Sequence, residues 1–196
     1  ADQKVRHVDG NGAFKSGPYQ AAESLGQELA RAVLVSLCSP PRPVEGSLTT
    51  QVVVTDLPLQ APPLREEAEQ MSKNPDRFLA AWGREMLRIH DEGGEFARTR
   101  PFTIQCLGIG GFALVALAGE MCVGYSLQLK KDLNGRPAII AGYTNGMEGY
   151  VPTAAMIPEG GYEVARGHYY DLIPAPHAPE VEYQIIGQVH KLLGLP

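Results

Sequence analysis

No run of about 18 apolar residues occurs in this chain of 196 residues, and its most apolar stretch, 112–117, has only the length of a strand. No transmembrane segment is expected, and neither end carries a signal-peptide pattern. Cysteine is scarce as well. Cys38, Cys106 and Cys122 are an odd number without Cys-x-x-Cys spacing, which suits buried thiols better than a disulfide framework or a cysteine zinc site. Positive charge is in deficit, with 17 Lys and Arg against 22 Asp and Glu and a formal net charge of −5. Phosphate backbones call for clustered cations, so no nucleic-acid partner is expected. The five histidines include no pair at metal-ligand spacing. Internal repeats and low-complexity tracts are absent.

What is present is a globular balance, 44% hydrophobic and 20% charged, enough for one core and a single domain over 1–196. Residues 1–17 are polar and glycine-bearing and read as a loop. Pro18 then opens a helix in which Ala21, Ala22, Leu25, Leu29, Ala32, Val33 and Leu37 recur at helical spacing, closed by Pro40-Pro41. Residues 51–59 are β-branched and read as a strand. Residues 64–73 and 75–91 read as helices expected to cover the sheet, the second with Phe78, Leu79, Trp82, Met86 and Ile89 on one face. Residues 99–107 and 112–117 form two apolar runs around Gly108-Ile109-Gly110-Gly111, the pattern of a hairpin. A helix over 120–131, a strand over 138–143 and a closing amphipathic helix over 179–193 complete the reading. Strands alternating with helices predict an α/β fold, and the hairpin predicts a mixed β-sheet covered by helices.

The chemistry gathers in 119–163. There Gly119-Glu120, Gly142-Tyr143-Thr144-Asn145-Gly146, Gly149-Tyr150-Val151-Pro152-Thr153 and Glu159-Gly160-Gly161-Tyr162-Glu163 follow one another. Glycine at that density permits positive φ and close approach to the main chain, so the carboxylates, phenols and amide between can converge on one pocket. Glu120 falls where an apolar strand meets a predicted helix, as a functional carboxylate or as an ordinary first-turn glutamate. Asn145 either presents its amide to the pocket or makes an Asn-Gly turn, and Glu163 either orients Tyr162 or faces solvent. His168 and His177 follow the last motif closely enough to reach the pocket, while the remaining histidines read as surface residues. Gly108 to Ala113 fits G-x-G-x-x-A, but a dinucleotide fingerprint must open a helix and this one opens a β-type run.

In order and spacing, these four motifs resemble the C-terminal half of the catalytic domain of the neutral/alkaline, non-lysosomal ceramidases and their bacterial relatives. The resemblance implies a zinc amidohydrolase acting on an N-acyl bond of a lipid or small-molecule amide, with Glu120 and Tyr150 as zinc ligands. Tyr162, twelve residues after Tyr150, would donate a hydrogen bond to the substrate or its oxyanion. The family adds two histidines from the preceding half of its domain. Its Gly-Asp-x-Ser-Pro-Asn motif corresponds here to Asp9-Gly10-Asn11-Gly12, which puts Asn11 in place of the serine and Asp9 beside it. An asparagine can hold a water or an oxyanion but cannot form an acyl-enzyme. By the resemblance the chain is a portion of that domain, without the family's immunoglobulin-like module, and is expected to be inactive alone. It is also expected to self-associate through the apolar face meant for the rest of the domain. Location is open between the secreted or periplasmic placement the resemblance allows and the cytoplasm. A non-catalytic ligand-binding domain is the alternative from a different class.

Overall fold

The computed structural model describes residues 7–8, 14–15 and 18–195, the first two pairs by their backbone alone. Two compact units divide the chain, residues 2–45 and the residues from 46 onward. In the first unit β1 (His7–Val8) pairs antiparallel with β2 (Phe14–Lys15), and α1 (Tyr19–Leu37) follows. The expected loop over 1–17 therefore contains a short ladder, since strands of two residues are too brief to show a period. The helix begins after Pro18 as its apolar spacing predicts.

The second unit is built on a four-stranded sheet in the order β3 (Leu48–Pro58), β4 (Thr99–Ile109), β5 (Phe112–Leu117) and β7 (Ala138–Ala141). The first three strands run antiparallel and the last is parallel to β5, so the sheet is mixed. Gly110 and Gly111 turn the chain between β4 and β5, and no helix opens there, which removes the dinucleotide reading. A parallel neighbour demands a crossover. It is supplied by β6 (Glu120–Met121) and α4 (Val123–Asp132).

One face of the sheet carries the core. Leu57, Phe102, Ile104, Cys106, Val115 and Leu117 project onto it at the alternate positions of their strands and pack with Tyr125 and Leu129 of α4. Val181, Ile185 and Val189, one turn apart on α8 (Glu180–Leu193), close the same core. Each such side chain contributes roughly 1.5–3 kcal/mol by leaving water. Cys106 and Cys122 are buried thiols, as their lack of pairing spacing predicts, whereas Cys38 is exposed.

The helices over 64–73 and 75–91 are present as α2 (Arg65–Ser72) and α3 (Arg77–Asp91), but they do not cover the sheet. They pack on each other around Ala68, Trp82 and Met86, with Tyr169 against them. Asp76 caps α3 by accepting a hydrogen bond from the Phe78 amide at 2.8 Å. The helix expected from residue 120 starts at Val123, because Glu120 and Met121 are held in a strand, and the strand expected over 138–143 ends at Ala141. Among the described residues no helix is long and apolar enough to cross a membrane.

Candidate functional site

The C-terminal end of β5 leads into a tight exchange of backbone. β6 pairs in parallel with β8 (Tyr150–Val151), Glu120 opposite Tyr150 and Met121 opposite Val151. The Glu120 amide donates to the Gly149 carbonyl at 2.7 Å, and the Tyr143 amide donates to the Gly119 carbonyl at 2.8 Å. Glycine is required at the crossing. Gly119 has φ +81°, and a Cβ there would lie 2.9 Å from the Gly149 carbonyl oxygen. Gly149 has φ +71°, with a would-be Cβ 3.0 Å from Asp171 Oδ2. Both positive φ values disfavour ordinary side chains, and at Gly119 the approach to backbone adds a steric bar.

This crossing brings the predicted pair together. The Glu120 carboxylate accepts a hydrogen bond from the Tyr143 hydroxyl at 2.7 Å and another from the Tyr150 phenol. The Tyr150 ring meets Tyr162 edge-on, centroids 5.6 Å apart at 82°. Tyr162 in turn is hydrogen-bonded to Tyr170. Tyr162 lies on α6 (Tyr162–Ala165), which follows α5 (Met156–Glu159), and Tyr170 lies on α7 (Gly167–Tyr170). Glu120, Tyr150, Tyr162, Tyr170 and Asp171 line one open pocket of about 260 Å³.

Charge and burial act together on the phenols. Burial, then the bond to Glu120, pushes the Tyr150 phenol above its ordinary value. The Glu120 bond raises Tyr143, and the bond to Tyr170 followed by burial raises Tyr162. At neutral pH all three are neutral hydroxyls. The pocket is therefore lined by neutral phenols, Tyr150 and Tyr162 among them, beside the Glu120 and Asp171 carboxylates, polar groups that can pair with an amide, whose carbonyl accepts and whose N–H donates.

The other predicted residues sit as follows. Glu163 and His168 line a separate narrow cavity that shares its Gly149, Tyr150, Gly167 and Asp171 wall with the pocket. The Asn145 amide donates to Gln105 Oε1 at 2.8 Å, toward the sheet. Asp9 and Asn11 lie outside the described residues. His177, read from sequence only as near the pocket, is a buried residue of the narrow cavity. His90 contacts the Pro63 carbonyl at 3.2 Å, and His190 pairs with Asp132 at 3.0 Å.

Sequence reasoning missed Tyr143, Tyr170 and Arg100. The Arg100 guanidinium reaches the Glu148 carbonyl at 2.9 Å and the Glu148 carboxylate at 3.0 Å, with Asp171 at 3.7 Å. It ties the strand before the pocket to both segments that flank Tyr150. Nothing around an arginine on a strand announces such a role; only the carboxylates at 148 and 171, far off in sequence, reveal it.

A zinc ion would polarise an amide carbonyl or a bound water at such a site. Glu120 and Tyr150 are two oxygens on adjacent strands, whereas a catalytic zinc takes three protein ligands. Among the described residues no group of three His, Cys, Asp or Glu could hold a metal ion. The described residues by themselves do not fit a complete zinc site.

A mixed α/β sheet with a carboxylate–phenol pocket at the end of a central strand is the class that fold and site define. No family model matches the chain, and no curated protein matches it. Among solved structures it is similar to the neutral ceramidase from Pseudomonas aeruginosa, with 19% identity, a TM-score of 0.46, and coverage of 78% of this chain and 30% of that one. It is similar also to a ceramidase complexed with C2, with 14% identity, a TM-score of 0.46, and coverage of 78% and 31%. The chain thus spans less than a third of either neighbour's length.

Proposed function

We propose that the Glu120–Tyr150–Tyr162 pocket is part of the substrate site of a ceramidase-like hydrolase that cleaves an N-acyl amide of a lipid or a small molecule. One observation supports this reading: three residues spread over 43 positions of sequence, 120 to 162, converge on one pocket as a carboxylate and two neutral phenols. In it Tyr162 donates to the amide carbonyl, and Glu120 holds Tyr150 with its hydroxyl toward the pocket. Zinc belongs to the proposal with Glu120 and Tyr150 as two of its oxygens, the remaining ligands coming from outside the described residues. The short donor set favours a second reading, a ligand-binding domain of the same shape without turnover.

The test is binding of an N-acylsphingosine and of a short water-soluble N-acyl amide, followed through the tyrosine ring signals of the isotopically labelled chain. The proposal expects shifts at Tyr150 and Tyr162 that Tyr162→Phe removes. Unmoved ring signals at saturating amide would reject the pocket as an amide site. Hydrolysis, where zinc and the rest of the domain are supplied, separates the hydrolase from the binding domain.

A further inference from the structure

Behind Tyr150 lies the narrow cavity, about 20 Å³, lined by Glu163, His168 and His177 among others. The Nδ1 atoms of His168 and of His177 are both buried with no hydrogen-bond partner among the described residues. His177 is 7% exposed, and its Nδ1 is among the buried atoms. Its ring also hydrogen-bonds the Pro58 carbonyl. Since Nδ1 has no partner among the described residues, that bond falls to Nε2, which carries the hydrogen and leaves Nδ1 as a bare acceptor.

We infer that this cavity is a built site for one water molecule, which donates one hydrogen to His177 Nδ1 and the other to His168 Nδ1. The volume fits, because a water needs roughly 10–15 Å³ of such space. The chemistry fits too. A water has two hydrogens to give, one for the His177 acceptor and one for His168 Nδ1, to which we assign the same tautomer, and leaving either nitrogen desolvated and unpaired carries a larger penalty than immobilising one solvent molecule. A metal ion would need more than two imidazoles, and no third ligand is grouped with them among the described residues.

The site has a mechanical consequence. Gly167 packs against the Tyr150 side chain, where a Cβ would sit 3.4 Å from Cδ2 and 3.6 Å from Cβ. The water, by joining His168 to His177, holds the turn that carries Gly167 against Tyr150, in the wall that the narrow cavity shares with the larger pocket. His168 and His177 are thereby positioning residues for that phenol. The inference stands on the cavity and the two nitrogens, and it does not depend on what the pocket binds.

The experiment is nuclear magnetic resonance on the full chain with nitrogen-15 histidine at neutral pH. The expected result is that both rings are neutral with hydrogen on Nε2, and that a long-lived water shows a cross-peak to His177. Hydrogen on Nδ1 of either ring, or no bound-water cross-peak, would overturn it. A His168→Asn variant keeps an acceptor near the Nδ1 position and is expected to retain both the cross-peak and the Tyr150 ring shift. His168→Phe is expected to lose both. If Asn loses the cross-peak, or if folded Phe keeps it, the two-imidazole site is wrong.

Discussion

The Glu120 carboxylate and the Tyr150 phenol, thirty positions apart in sequence, face each other across a parallel pairing only two residues long and are hydrogen-bonded. So short a ladder has little strength of its own. Beside it the Gly119–Gly149 crossing brings the two segments closer than a Cβ at 119 would permit.

Replacing Gly119 tests that directly. Gly119→Ala imposes a Cβ on a φ of +81° and on a carbonyl at 2.9 Å, with an expected loss of about 1–3 kcal/mol in chemical denaturation. Gly187→Ala, in the interior of α8 with nothing within 4 Å, is expected to be neutral or to stabilise by about 0.5–1 kcal/mol. Equal effects at the two sites would mean that the crossing is not constrained.

Glu120 also sets the acidity of its neighbours. The carboxylate raises the Tyr143 and Tyr150 phenols because each donates to it and because its charge opposes theirs. Glu120→Gln removes the charge, so both phenols are expected to titrate at lower pH, read by ultraviolet titration against Tyr143→Phe and Tyr150→Phe. Titration curves unchanged by Glu120→Gln would place the carboxylate elsewhere.

Stability is expected to fall with acid below the ordinary histidine range. Burial holds His177 down to about 4, with Arg100 adding to it, and burial with His177 nearby holds His168 to about 4. Above the ordinary histidine value of 6.5 the rings are neutral in both the folded and the unfolded chain, and no slope arises from them. Between about 6.5 and 4 the unfolded chain takes up protons that the folded chain refuses. Each ring then removes up to about 1.4 kcal/mol per pH unit, and the loss levels off below the folded value. Urea midpoints across that window should decline less steeply in His177→Gln than in the parent chain; parallel slopes would contradict the assignment.

Arg100→Met keeps the aliphatic stem and deletes the guanidinium that joins Glu148 and Asp171. Hydrogen exchange at the amides of 148–150 is expected to accelerate, with the core amides of β4 and β5 unchanged. Uniform acceleration would instead signal global destabilisation.

Much of the fold was legible and the reasons are local. Proline brackets and i, i+4 apolar spacing define α1 and α8, and a double glycine between apolar runs defines the β4–β5 hairpin. Glu120, Tyr150 and Tyr162 stood out because glycines flank them. What failed was nonlocal. The strand at Glu120–Met121 exists only through β8, so its sequence reads as the start of a helix. Helices α2 and α3 carry an apolar face whose destination, each other and not the sheet, is fixed by Trp82 and by Tyr169 some ninety residues on. The buried state of His177 comes from its bridge to Leu59, which no spacing in its own segment announces.

The other face of the sheet is where self-association is expected. Val52 and Val54 point outward from the edge strand β3 with 64% and 63% exposure, and Ile139 of β7 with 54%. An open edge bearing apolar side chains invites pairing. Sedimentation is expected to show a mass that rises with concentration and is held near monomer by Val52→Lys with Val54→Lys. A concentration-independent mass for the parent chain would contradict this.

The most direct test of the central claim is a zinc titration of the chain labelled with carbon-13 at the tyrosine Cζ. The account predicts that zinc moves the Tyr150 signal toward that of a phenolate, with weak affinity because the donor set is short, and that Glu120→Ala abolishes the shift. A Tyr150 signal that zinc leaves in place, or one that moves equally without Glu120, would contradict it.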